Sequence, residues 1–142
     1  MPDILHQVGI AAPIAKVYKT LTTLEGHQGW WDSKATGDAS KGGELTFFGH
    51  VFNVVEARPH ERVLWKCASG SKDWVDTTIE FRLDHKQDQT FVLFTHAGWR
   101  KPTEFMHHCS TKWAVFLLSL KALVETGKGR PAPDDVHVYV GG

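Results

Sequence analysis

The sequence has little that would commit it to a charged or covalently stapled partner. Its 142 residues carry sixteen basic and sixteen acidic side chains, so the formal net charge is zero. A nucleic-acid binder working through a strong positive field is thereby excluded. Cysteine is scarce: Cys67 and Cys109 stand alone and far apart, and no C-x-x-C or H-x-x-x-H spacing occurs. A disulfide framework and a pre-arranged zinc site both lose their sequence basis. No apolar run approaches membrane-spanning length, and the opening Met1-Pro2-Asp3-Ile4-Leu5-His6 has no basic-then-apolar leader pattern. The expectation is a cytoplasmic protein with reduced thiols, no membrane insertion and no nucleic-acid partner. Low-complexity tracts, internal repeats and blocks of like charge are missing too. A single domain over 1–142 is long enough to bury a core without staples.

What is abundant is aromatic and imidazole chemistry, with six tryptophans and nine histidines. Tryptophan is bulky enough to line a pocket as well as to fill a core. The longest clean periodicity runs from Thr103 to Thr126. Met106, Cys109, Trp113, Phe116, Leu117, Leu120, Leu123 and Val124 recur at steps of three and four, which places them along one side of a helix. Lys112, Lys121 and Glu125 fall mostly elsewhere on the wheel and are assigned to water. Thr103 is the expected N-cap and Gly127 the expected C-cap. At about 1.5 Å per residue the helix spans about 35 Å, and its apolar side needs a surface to lie against.

The rest of the chain supplies that surface. Ile4 to Ile10 reads as a strand. Pro13 then opens a short amphipathic helix through Ile14, Val17, Tyr18 and Leu21. Leu24 to Trp31 adds a turn or two, broken by Gly26 and Gly29, and Asp32 to Gly43 reads as a polar loop. Glu44–Phe48 and Val51–Arg58 are strand-like, separated by a hairpin turn at Gly49-His50, and Arg62–Ala68 follows. In the clearest strand, Val75, Thr77, Ile79, Phe81 and Leu83 alternate with polar residues, the mark of a sheet with one wet face. Thr90–Ala97 is apolar on both sides, so it is expected to be covered on both faces or central. Val136, Val138 and Val140 alternate in the tail over 129–142, a candidate extra strand or subunit contact. Strands in succession with a terminal helix give an α+β fold. A curved sheet gripping such a helix often leaves a cavity between them.

Several stretches resemble a known family. They are Thr22-Thr23-Leu24-Glu25-Gly26 with Trp30-Trp31, Pro59-His60-Glu61-Arg62-Val63-Leu64-Trp65, and Thr95-His96-Ala97-Gly98-Trp99. In the last helix Trp113, Leu117 and Glu125-Thr126-Gly127 extend the likeness. The chain is similar to START-like (SRPBCC) proteins of the Hsp-ninety ATPase activator homologue branch. The resemblance implies a helix-grip fold: a curved antiparallel β-sheet wrapped around a long C-terminal helix, with two short helices between the first two strands. It implies an internal cavity but no single reaction, because the superfamily includes lipid carriers, aromatase/cyclases and co-chaperone domains.

The first expectation for function is therefore binding of a small hydrophobic molecule, lipid-like or aromatic, between sheet and helix. The alternatives are a cyclase- or dehydratase-like proton transfer and a co-chaperone-like interaction module; a homodimer is compatible with each. Expected aromatic walls are Trp30, Trp31, Trp65, Trp99 and Trp113 with Phe47, Phe81 and Phe94. Cys67, Met106 and Cys109 would complete the lining, with Trp30 and Trp31 at the mouth and His96 as the polar end. His96 is the sharpest acid/base candidate, since imidazole titrates near neutrality, although a polar wall is its commoner role. His107 and His108 point about 100° apart, so at most one can face the pocket. Buried cysteine is by default a small hydrophobe, and neither metal nor cofactor is expected.

Overall fold

The alternating strands and the helical stripe meet across one core. A computed structural model describes residues 2–141. Strand β1 (Ile4–Ile10) leads into helices α1 (Ile14–Leu21) and α2 (Leu24–Trp30). Strands β2 (Thr36–Gly37), β3 (Glu44–Phe47), β4 (His50–Arg58) and β5 (Arg62–Ser69) follow. Then come β6 (Thr78–Lys86), β7 (Gln89–Ala97) and the long helix α3 (Glu104–Thr126). All the strands join one sheet in the order β1-β7-β6-β5-β4-β3-β2, each pair antiparallel. Register shifts between Val51 and Phe52 and between Val54 and Glu56 bend β4, as bulges do, and help curl the sheet. This is the α+β helix-grip fold that the pattern and the resemblance led us to expect.

Helix α3 forms where the periodicity put it and is capped at both ends. The Thr103 side chain accepts a bond from the Met106 N–H, and Gly127, at φ 86°, donates its N–H to the Leu123 carbonyl. Cys109, Trp113, Phe116, Leu117, Leu120 and Val124 are buried on the sheet side, while Leu118 faces water. Helix α3 also guards the free edge of β1. Lys121 Nζ donates to the Gly9 carbonyl, and the Ala11 N–H donates to Glu125 Oε2 at 2.7 Å. Among the described residues no helix is long and apolar enough to cross a membrane.

Six local expectations need correction. The loop over 32–43 contains β2, a two-residue strand paired with β3. Helix α2 is continuous through Gly26, because the glycine makes room rather than ending the helix: a Cβ there would lie 2.0 Å from the Thr20 carbonyl oxygen. Strand β6 begins only at Thr78, since Trp74–Thr77 forms a turn with Asp76 at φ 71°. Strand β7 lies inside the sheet but only one of its faces is covered, with Leu93 exposed on the other. Val136–Val140 forms no strand. The β3–β4 hairpin turns at Phe48-Gly49, both with positive φ, so His50 is already paired opposite Phe47.

Candidate functional site

Most of the space between sheet and helix is filled by rings. Trp31 stacks on Trp65 at 5.5 Å between centroids, Phe47 lies 3.9 Å from Trp31, and Phe81 meets Phe94 edge-on at 5.4 Å. Trp30, Trp65, Cys67 and Trp99 are buried in the same core. Burial holds the Cys67 thiol up at about 11. His27 sits among Trp30, Phe47 and Trp65, donating from Nε2 to the Leu21 carbonyl at 2.7 Å. Burial pushes this imidazole down to about 4, so it stays neutral near pH 7.

His96 is held by a hydrogen-bond relay within that core. The Trp113 indole N–H donates to His96 Nδ1 at 3.0 Å, which leaves the ring proton on Nε2. Nε2–H donates to Thr77 Oγ1 at 2.8 Å, and the Thr77 hydroxyl donates to the Trp74 carbonyl at 2.6 Å. Burial, assisted by His50, pushes His96 down to about 3. A neutral ring with both nitrogens engaged has no free position for a reacting proton. Its work is to fix Trp74 and Trp113.

Those two tryptophans wall a cavity beside the packed core. A hollow of about 310 Å³ lies at the N-terminal half of α3. Trp31, Trp74, Trp113 and Phe116 form aromatic walls; Phe48 comes from the β3–β4 turn and His50 from the start of β4. Phe105, His108, Cys109 and Lys112 come from α3, and Ala132 and Asp135 from the segment after it. Burial raises the Cys109 thiol to about 11, so it is a neutral, unreactive wall at physiological pH. Two buried nitrogens of this lining have no hydrogen-bond partner: Trp74 Nε1 and His50 Nε2. The Trp74 N–H approaches the Cys109 sulfur without meeting hydrogen-bond geometry. The other ring nitrogen of His50 donates to the Phe48 carbonyl at 3.0 Å, so Nε2 carries an open lone pair. Lys112 pairs with Asp135, and its Nζ lies 5.5 Å from the Phe116 ring.

Of the residues expected to line a pocket, the structure brings Trp31, Cys109 and Trp113 to this cavity. Trp30, Phe47, Trp65, Cys67, Phe81, Phe94, His96 and Trp99 lie in the packed core instead, and Met106 packs against its margin. The expected mouth residues Trp30 and Trp31 are both buried. Cys67, Cys109 and His96 form no metal-sized cluster among the described residues. His108 lines the cavity, while His107 bonds the Thr103 carbonyl through Nδ1 at 2.8 Å. The expected lining left out the walls Trp74 and Phe116 as well as Phe48, His50, Phe105, His108, Lys112, Ala132 and Asp135. Lys112 carried a signal, because it stands three residues after Cys109 and four before Phe116.

Comparison with known proteins gives the family of the fold. The profile of the family described as Activator of Hsp90 ATPase homolog 1-like protein matches residues 11–125. The chain belongs to this family. The Aha1 dimer from Colwellia psychrerythraea is 43% identical, superposes with a TM-score of 0.82, and is matched over 91% of this chain and 100% of that one. Two more distant structures show the fold alone. SSP2350 from Staphylococcus saprophyticus is 17% identical at TM-score 0.76, over 92% of this chain and 98% of that one. CalU16 from Micromonospora echinospora is 22% identical at TM-score 0.73, over 92% and 77%. No match was found among curated proteins. The family match stops at residue 125, so Ala132 and Asp135 complete the cavity from outside it.

Proposed function

We propose that this Hsp90-activator-homologue-like chain binds a small, flat, mainly apolar molecule in the cavity at the N-terminal half of α3. One observation carries the reading: a 310 Å³ hollow walled by Trp31, Trp74, Trp113 and Phe116 persists in an otherwise ring-filled interior. Flat walls favour a planar guest, and the unpartnered Trp74 Nε1 and His50 Nε2 supply the few polar contacts that orient one. An environment-sensitive apolar dye should gain fluorescence with the folded protein. Cys109→Phe, which fills the hollow from α3, should abolish the gain; an equal response in both proteins places the dye elsewhere. Native mass spectrometry of protein from its own cells would then weigh the natural guest.

We also infer self-association, because a relative 43% identical to this chain is described as a dimer. Light scattering should give twice the 15.9 kDa of one chain. A monomer mass at tens of micromolar would remove the inference.

A further inference from the structure

We propose that the cavity's guest is an aromatic acid, whose carboxylate takes the place of Asp135 on Lys112. The proposal rests on the ligand-cavity reading above and names the ligand class. Lys112 is the lone Lys or Arg side chain among the residues lining the hollow. Its ammonium is already matched to a carboxylate, that of Asp135, in a pair that is mostly withdrawn from water, with side-chain exposures of 21% and 8%. Such a cation is costly to leave unpaired, so whatever enters beside it must bring a replacement charge or leave Asp135 where it is.

The way Asp135 arrives makes replacement the simpler course. Lys112 is fixed in the middle of α3, within the family match, whereas Asp135 belongs to the segment beyond residue 125. That segment is anchored upstream, where the Ala132 N–H donates to the Trp31 carbonyl at 2.8 Å and the Ser33 N–H donates to the Ala132 carbonyl at 3.0 Å. Past Asp135 the side chains of Val136 and Val140 are exposed, while the Val136 carbonyl lies 3.4 Å from Lys112 Nζ and the Tyr139 ring meets His108 edge-on at 5.5 Å. Asp135 can swing away once those two contacts part, while Ala132 stays in place. A guest carboxylate presents the same two oxygens to Lys112 and needs no change in the helix. Its ring would then lie between Trp31, Trp74, Trp113 and Phe116, a space suited to about two fused six-membered rings. The Trp74 N–H remains available for one further oxygen on the guest. Asp135 is thus an intramolecular competitor, which sets a floor that only anionic guests cross readily.

Calorimetric titration with 2-naphthoate and its neutral counterpart 2-naphthylmethanol tests this at fixed ionic strength. Asp135→Asn should bind 2-naphthoate about tenfold more tightly than the unaltered protein, because the competitor has lost its charge. Lys112→Met should lose about tenfold or more for the acid. Both variants should hold 2-naphthylmethanol within about twofold. Circular dichroism checks that each variant is folded, and either variant suffices if the other is not. Unchanged naphthoate affinity in the folded variants, with 2-naphthylmethanol still bound, overturns the aromatic-acid proposal and leaves the cavity reading standing. Failure of both probes with every folded protein overturns the cavity reading, and this proposal with it.

Discussion

His27 and His96 are the two fully buried imidazoles, and each binds a proton less readily in the native state than in the unfolded chain. Their native values of about 4 and about 3 lie below the ordinary 6.5. Between those limits the unfolded chain binds protons that the native state refuses, so stability rises with pH there. The contribution is complete above about pH 6.5 and is lost on acidification toward pH 4, at up to about 1.4 kcal/mol per unit for each ring. Urea unfolding should therefore show a loss of about 3 kcal/mol between pH 7 and pH 5. His96→Gln should remove about half of that slope, and an unaltered slope would mean that this ring titrates normally. Trp113→Phe keeps an aromatic wall but leaves His96 Nδ1 buried without its donor. It should cost about 1–3 kcal/mol at pH 7. A penalty below about 0.5 kcal/mol would show that the relay contributes nothing to stability.

Helices α1, α2 and α3 depend on two glycines for different reasons. Gly26 is a matter of space, since a Cβ would run into the Thr20 backbone carbonyl at 2.0 Å. Gly127 is a matter of conformation, at φ 86° with open space around it. Gly26→Ala should cost about 2–3 kcal/mol, because a backbone must shift. Gly127→Ala should cost only about 1 kcal/mol. Thermal unfolding of the two variants ranks them, and the reverse order would refute the packing of α2 against α1. The sequence makes α3 legible because its period and both caps are local features. The start of β6 is not legible: Val75 and Thr77 continue the alternation, but bonds from Thr77 to Trp74 and His96 hold them in a turn. The helical wheel assigns Lys112 to water, although Cys109, Lys112 and Phe116 share the cavity side of α3. Its counter-charge, Asp135, lies 23 residues away and comes from a segment without periodicity, so no local pattern announces it. The core aromatics were misplaced for a related reason: composition shows that rings are present, not which of them stack solidly and which leave a gap.

At the scale of the whole molecule, the segment after α3 closes a cavity that sheet and helices leave open. It adds Ala132 and Asp135 to the lining, bonds the end of α2 through Trp31, and bonds α3 through the Arg130 N–H to Ser119 Oγ at 2.7 Å. The backbone of Ala132 also forms an isolated parallel bridge with Asp32. A chain ending after Lys128 keeps the Gly127 cap and the fold-defining strands but loses all of these contacts. Two or three net hydrogen bonds and one partly buried ion pair are at stake, about 2–3 kcal/mol together. For a domain of this size the melting temperature should fall by about 5–8 °C. Trp31 and Trp113 would gain water on their cavity side, so tryptophan emission should also move to longer wavelength. The shorter chain should remain folded by circular dichroism, because Ala132 packs only at the margin of the core while every strand and helix that buries Trp30, Trp65 and Phe81 is kept. An unchanged melting temperature together with unchanged emission would mean that the segment rests on the surface and takes no part in the cavity.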